Sequence, residues 1–243
     1  MLNSYLYCVT HEDPNFKDEL SGLDGQSVEV LNHDTLFVVA SKFDGEMVPV
    51  TRENVLQHEA IVRTTFSTTT VLPFRFGCLV TMSGLRSYLT TRERALLERL
   101  AQVRDCVEMS VKIIWQNASE TEDSGSVLPN LDEAGAGTAF LMFKRRELRG
   151  NDQVEQEARE LEAWLGAGLR DIVRQEQITI EPKQRLVLSA SYLVERVRLA
   201  DYRRELGRLQ AERTNLHFLS SGPWPPYTFS NIDLEFGPRF GVS

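Results

Sequence analysis

The chain alternates between two hydrophobic periods, and each switch marks a change of element. Residues 2–9 alternate well enough for a strand. Val28–Leu31 and Leu36–Ala40 read as strands flanking Asn32-His33-Asp34-Thr35, a hairpin-like pair. From Thr51 the period becomes helical. Thr51 is placed to cap, with Asn54 three residues on, and Val55, Glu59, Val62 and Phe66 fall at helical spacing. Val71–Gly77 carries Pro73 and reads as a strand near an edge or a strand start. Leu85, Leu89, Leu96, Leu100 and Val103 then form one stripe of a long helix, with Arg92 its polar exception. Residues 106–115 return to a period of two, with Val107, Met109, Val111 and Ile113 on one face.

Residues 116–138 break the rhythm with acids, small residues and Pro129, and read as a flexible loop. Beyond it, Val154, Ala158, Leu161, Leu165, Leu169 and Ile172 form a helical stripe. Gln177–Ile180 and Leu186–Val194 read as strands joined by a turn at Glu181-Pro182-Lys183. Leu199, Tyr202, Leu206, Leu209 and Leu216 form another helical stripe, and Leu216–Leu219 a short last strand. From residue 106 the order is strand, helix, strand, strand, helix, strand, that of a ferredoxin-like antiparallel sheet with both helices on one face. The expected fold is α+β in two domains: an N-terminal α+β domain at 1–105, a ferredoxin-like βαββαβ domain at 106–221, and an extended Pro/aromatic tail at 222–243. In that tail, Gly222-Pro223-Trp224-Pro225-Pro226-Tyr227-Thr228-Phe229-Ser230 holds three prolines and three aromatic rings. Prolines fix φ and bias the preceding residue toward extended geometry, so the segment is predicted stiff, polyproline-II-like and docked through its rings onto the chain's own domains.

Composition narrows the function. The 243 residues are 42% hydrophobic and 26% charged, within the range of an ordinary globular protein. The net charge of -8 offers no positive field to collect phosphate, which argues against nucleic acid as a partner. Most of that charge is N-terminal: residues 1–50 hold nine carboxylates against Lys17 and Lys42. Cys8, Cys78 and Cys106 are widely spaced and odd in number, so they read as buried thiols in a reducing compartment, with neither a zinc site nor a disulfide framework. The N-terminus lacks the basic n-region of a signal peptide, and no apolar run approaches about 20 residues. A cytoplasmic protein that does not enter a membrane is expected.

The chain is poor in candidate chemistry. His11, His33, His58 and His217 are scattered, with no metal-ligand spacing. No nucleophile elbow, Walker loop or GxGxxG turn occurs. Ser189 and Ser191 lack an evident base; Glu155, Glu157, Glu160 and Glu162 fall on an outward helix face; and Lys144-Arg145-Arg146 reads as surface. His58 reads as a packed or half-exposed structural histidine. No enzyme activity, metal or cofactor is expected. A small-ligand-binding regulatory ferredoxin-like protein stays open as an alternative to a protein-binding role.

Several segments carry a resemblance in chain order. VLPFRFG at 71–77 and GPWPPYTF at 222–229 resemble the two signature motifs of the gas vesicle protein GvpF/GvpL family. LNSYLYCVT at 2–10, CVEMSVKIIW at 106–115, GAGTAFLMFKRREL at 135–148 and LVLSASYLVER at 186–196 are similar to intervening segments. Phe74, Cys78 and Thr228 depart from the family's usual Val, Thr and Ser, and blur the choice between GvpF and GvpL. The resemblance implies structural motif roles for Pro73, Arg75, Phe76 and Gly77, and for Gly222, Pro223, Trp224, Pro225, Pro226, Tyr227 and Phe229. It also implies two α+β domains, the second a modified ferredoxin-like one. The implied function is an accessory or minor structural protein of gas vesicles that binds the hydrophobic shell subunit GvpA and other Gvp proteins, assists nucleation and limits premature aggregation.

Overall fold

The computed structural model describes residues 2–115, 156–181 and 187–232. The predicted acidic loop, the Lys144-Arg145-Arg146 patch, the 135–148 segment and the Glu181-Pro182-Lys183 turn lie wholly or mainly outside the described residues. The architecture is mixed α and β with two sheets. Among the described residues, those of Met1–Glu108 and Gly222–Ser243 form one compact unit, and those of Met109–Ser221 a second.

The first unit is built on a sheet in the order β2-β3-β1-β4, with β5 also paired to β1. Its strands are β1 (Leu2–Thr10), β2 (Val28–His33), β3 (Leu36–Asp44), β4 (Leu72–Pro73) and β5 (Leu79–Val80). All its pairings are antiparallel. The predicted hairpin is present: His33 pairs with Leu36, and Asp34 takes positive φ (52°), a conformation that Asp tolerates in tight turns. Tyr5 through Val9 are each fully buried, so β1 is a central strand covered on both faces. The predicted edge strand at Val71–Gly77 is present only at Leu72–Pro73, with a turn at Phe76–Gly77. Leu72–Pro73 pairs with β1, the chain bulges outward through Phe76–Gly77 with Gly77 at φ 86°, and Leu79–Val80 resumes pairing with the same strand in the same direction.

Two helices complete the unit. In α1 (Arg52–Thr68), Thr51 Oγ1 accepts from the Asn54 N–H at 3.2 Å, the predicted cap. Its buried residues are His58, Ile61, Val62 and Thr65. The inward stripe is thus rotated from the predicted Val55–Glu59–Val62–Phe66 line, because burying His58 against the tyrosines of β1 turns Val55 outward. In α2 (Met82–Val103), the five stripe residues Leu85, Leu89, Leu96, Leu100 and Val103 are the buried ones, as predicted, and Arg92 is exposed.

The second unit's sheet runs β7-β8-β6-β9, with β6 (Cys106–Trp115), β7 (Val173–Glu181), β8 (Val187–Glu195) and β9 (Leu216–Trp224). The helices are α3 over residues 156–169 and α4 (Leu199–Glu212). Ala158, Leu161, Leu165 and Leu169 of α3 are buried, as are Tyr202, Leu206 and Leu209 of α4. Leu216 belongs to β9 rather than to the α4 stripe, since the helix ends at Glu212. At Gly168 the helices approach closely: a Cβ there would come within 2.8 Å of the buried Leu209 side chain.

The proline-aromatic segment departs from the expected uniform extended strip. Gly222, Pro223 and Trp224 finish β9, with Gly222 at φ 121° and a cis Gly222–Pro223 peptide. Tyr227–Ser230 then closes into a one-turn helix, α5, ended by Asn231 in the left-handed region. Proline at the start of a helix removes a donor that would be orphaned anyway, so Pro226 helps the turn begin.

Candidate functional site

The two proline-containing motifs meet at one buried ring. His58, on the inward face of α1, is 3% exposed. Tyr5 and Tyr7, two residues apart on β1, reach it with ring centroids at 5.6 Å each, one edge-on and one stacked. Phe76 contributes at 5.9 Å and Tyr227 at 6.4 Å. Four aromatic rings from three separated stretches of sequence therefore enclose one imidazole.

Hydrogen bonds hold this core in register. Tyr5 Oη lies 2.7 Å from His58 Nδ1 and accepts the Gly77 N–H at 3.3 Å. Tyr7 Oη lies 3.1 Å from Ser41 Oγ and accepts the Leu23 N–H at 3.0 Å. The Phe74 N–H donates to the Tyr7 carbonyl at 2.9 Å, while Pro73, which lacks a donor, faces Cys8 in the ladder. Phe74 is buried, Phe76 half-buried and Arg75 exposed.

The 222–230 segment adds two carboxylate anchors. Tyr227 Oη donates to Glu59 Oε2 at 3.1 Å, and the other oxygen of Glu59 takes Arg63 at 3.0 Å. The Arg63 guanidinium also lies 5.2 Å over the Trp224 ring. Thr228 donates twice to Glu108: its N–H to Oε2 at 2.8 Å and its Oγ1 to Oε1 at 2.6 Å. Glu108 is 5% exposed, so this fork satisfies a carboxylate that would be costly to bury alone. Phe229, Pro225 and Pro226 are buried, Trp224, Tyr227 and Gly222 half-buried and Pro223 exposed. The rings thus dock within the first unit.

Burial sets the proton chemistry. It lowers the His58 imidazole to about 4, with the Phe74 backbone opposing the shift. Tyr5 and Tyr7 are pushed up by burial, and Tyr227 by burial and then by the Glu59 carboxylate, so their phenols stay protonated. Cys8 and Cys78 are raised by burial to about 12 and remain thiols. A Tyr–His contact of 2.7 Å could in principle pass a proton. Here neither partner titrates near neutrality and the ring is sealed from solvent, so the cluster works as a polar core.

Sequence reasoning singled out the motif residues but missed Tyr5, Tyr7, Glu59 and Glu108, to which they attach. The tyrosines had one legible signal, their i, i+2 spacing on a strand. Glu59 had one too, an acid within a predicted apolar stripe; Glu108 had none, being one acid among 35 acidic residues. Elsewhere in the first unit, Met47, Val50, Val55 and Leu56 are large apolar residues left exposed. In the second unit, an open groove of about 480 Å³ runs past Arg159, Glu162, Gly166, Arg170, Arg174 and Glu176. Its charges are of both signs, so it presents no convergent set for a small ligand of one charge. Among the described residues no group of three or more His, Cys, Asp or Glu could hold a metal, and no helix is long and apolar enough to cross a membrane.

Comparison with known proteins bears on the whole chain. The profile of the gas vesicle synthesis protein GvpL/GvpF family matches residues 3–231. Gas vesicle protein F of a Streptomyces species is 24% identical over 243 residues, covering 94% of this chain and 99% of that protein. Gas vesicle protein L of Haloferax mediterranei is 25% identical over 232 residues, covering 86% and 69%. The crystal structure of GvpF from an Anabaena species superposes with a TM-score of 0.72 at 19% identity, covering 96% of this chain and 98% of that one. GvpF from Microcystis aeruginosa gives 0.70 at 20%, covering 95% and 99%. At these identities the structural likeness speaks to the fold.

Proposed function

Because the chain belongs to the gas vesicle synthesis protein GvpL/GvpF family, with a role in gas vesicles, we propose that it is an accessory or minor structural component that binds the shell subunit GvpA and other Gvp proteins during assembly. The observation that carries this reading is the family match from residue 3 to residue 231, which leaves little of the chain for an unrelated activity. The homologues carry names of gas vesicle proteins and not of enzymes, and the buried cluster around His58 is closed to any substrate.

The physical logic follows from the partner. A shell subunit with a large apolar face aggregates unless that face is covered before polymerisation. A protein that covers it transiently needs an exposed apolar surface of its own and enough charge to keep the complex soluble. The first unit has both, and we place the docking surface there. The second unit we read as a ferredoxin-like scaffold, supported by its βαββαβ element order and the path β7-β8-β6-β9. The motif residues Pro73, Arg75, Phe76, Gly77, Gly222, Pro223, Trp224, Pro225, Pro226, Tyr227 and Phe229 are read as structural. The protein would act in the cytoplasm at the growing vesicle.

Deletion of the gene in a vesicle-forming host, followed by electron microscopy, tests this function. Absent or malformed vesicles are expected, restored by the full chain. Normal vesicles in the deletion strain would refute an assembly role. Mass spectrometry of purified vesicles then distinguishes a retained component from one that leaves.

A further inference from the structure

Four of the five large apolar side chains exposed among the described residues of the first unit fall in one short stretch, Met82 being the fifth. Met47 is 46% exposed, Val50 58%, Val55 40% and Leu56 56%, all within ten residues of sequence. The backbone folds this stretch back on itself. The Pro49 carbonyl accepts both the Thr51 N–H and the Asn54 side chain, each at 3.0 Å, which presses the incoming loop onto the first turn of α1. With Thr51 as the cap, Val50 and Val55 occupy the N′ and N4 positions, the pair that meets in a hydrophobic staple. In a staple the two side chains cover each other; here both stay widely exposed, beside Leu56.

The patch also continues a line that is already an interface. Val55 precedes Glu59 by one helical turn, and Leu56 precedes Arg63 by two. Glu59 and Arg63 are the α1 residues that receive Tyr227 and Trp224. The tail therefore covers this flank of α1 along its middle turns and leaves its first turn open. The surroundings are net acidic: across residues 44–56, Asp44, Glu46 and Glu53 are exposed against one exposed base, Arg52, and the first 50 residues carry nine carboxylates against two lysines.

We propose that Met47, Val50, Val55 and Leu56, rimmed by Glu46 and Glu53, form the docking surface for an amphipathic protein segment whose apolar face is bordered by lysine or arginine. The apolar side chains supply contact area, and the acidic rim selects a basic border and repels an acidic one. In taking the partner to be the shell subunit, this assignment rests on the function proposed above.

The test uses the full chain, since the tail is part of the first unit. Binding of a short amphipathic Leu/Lys helical peptide and of its Leu/Glu counterpart is measured by fluorescence anisotropy at low and high salt. The variants are Val50→Glu with Leu56→Glu, Glu46→Lys with Glu53→Gln, and Val197→Glu, an exposed apolar residue of the second unit, as control. Melting temperatures verify that each stays folded. The Leu/Lys peptide should bind and the Leu/Glu peptide should not. The apolar double variant should weaken binding about tenfold or more. The acidic double variant should weaken it about threefold and flatten its salt dependence, and the control should change nothing. Equal binding of both peptides, or full binding by the apolar double variant, overturns the assignment. Co-purification of the shell subunit separates the two readings. Capture by wild type and by the apolar double variant alike sinks the surface and leaves the function standing. Patch-dependent peptide binding with no capture of the shell subunit by wild type sinks that partner and leaves the surface standing.

Discussion

The two units solve the problem of a small core with different materials. The first fills its centre with Tyr5, Tyr7, Phe43, Phe76, Tyr227 and a buried histidine, and stitches them with hydrogen bonds between residues far apart in sequence. The second relies on leucines of α3, α4 and β8. Its one tyrosine pair, Tyr192 and Tyr202 with ring centroids 6.0 Å apart, leaves both hydroxyls without a partner among the described residues. An aliphatic core is tolerant, because any well-shaped apolar packing serves it. A polar aromatic core is exacting, because each donor must find its acceptor. The first unit is therefore the one whose geometry depends on particular residues, and both proline-containing segments, 71–77 and 222–230, belong to it.

The sharpest break of that contrast is Phe229→Ala. Phe229 is 6% exposed on a single turn of helix that shares its unit with β1 and α1. Its truncation should cost about 3–4 kcal/mol in urea unfolding. A loss below about 1 kcal/mol would mean that the tail is an ornament rather than part of the first core.

Acid titration sharpens the contrast next. The unfolded chain protonates a histidine near 6.5, whereas folded His58 resists until about 4. Its contribution is therefore whole above pH 6.5 and is lost as pH falls toward 4, by about 3 kcal/mol over that window. Comparing unfolding of wild type and His58→Gln at pH 7 and near pH 4.5 isolates it. The variant should be less stable at pH 7 and show a shallower pH slope.

Paired hydroxyl deletions give a smaller effect of different size in the two units. Tyr7→Phe strands the Leu23 N–H and should cost about 2 kcal/mol, whereas Tyr192→Phe removes a hydroxyl that has no partner among the described residues and should be neutral within about 0.5 kcal/mol. Equal costs would dissolve the distinction between the cores.

The smallest effect is one the units should share. Trp224 lies under Arg63 at 5.2 Å in the first unit, and Trp164 under Arg213 at 5.1 Å in the second. Both rings are half-buried, so Trp224→Ala and Trp164→Ala should each cost about 1–2 kcal/mol in thermal melts, well below Phe229→Ala.

Much of this was legible in the chain itself. The α2 stripe, the β2–β3 hairpin, the Thr51 cap and the inward face of β6 follow from local periodicity and local chemistry, so they could be read directly. The failures share a cause. The inward face of α1 could not be placed from its own residues, because the polar His58 is buried and the apolar Val55 and Leu56 are exposed, reversing the usual rule. That reversal depends on Tyr5 and Tyr7, some fifty residues away, whose rings enclose His58. Likewise the prolines of 222–230 announced stiffness, but the place where the segment stops being strand and coils into α5 depends on Glu108 and Glu59, which receive Thr228 and Tyr227. By itself the sequence determined the elements, the polarity of most of their faces and the family, since these depend on short-range order and on motifs quoted whole. Only the tertiary structure decided that two motifs some 150 residues apart close on one histidine, because hydrogen bonds and ring contacts are set by distance in space, which no spacing along the chain records.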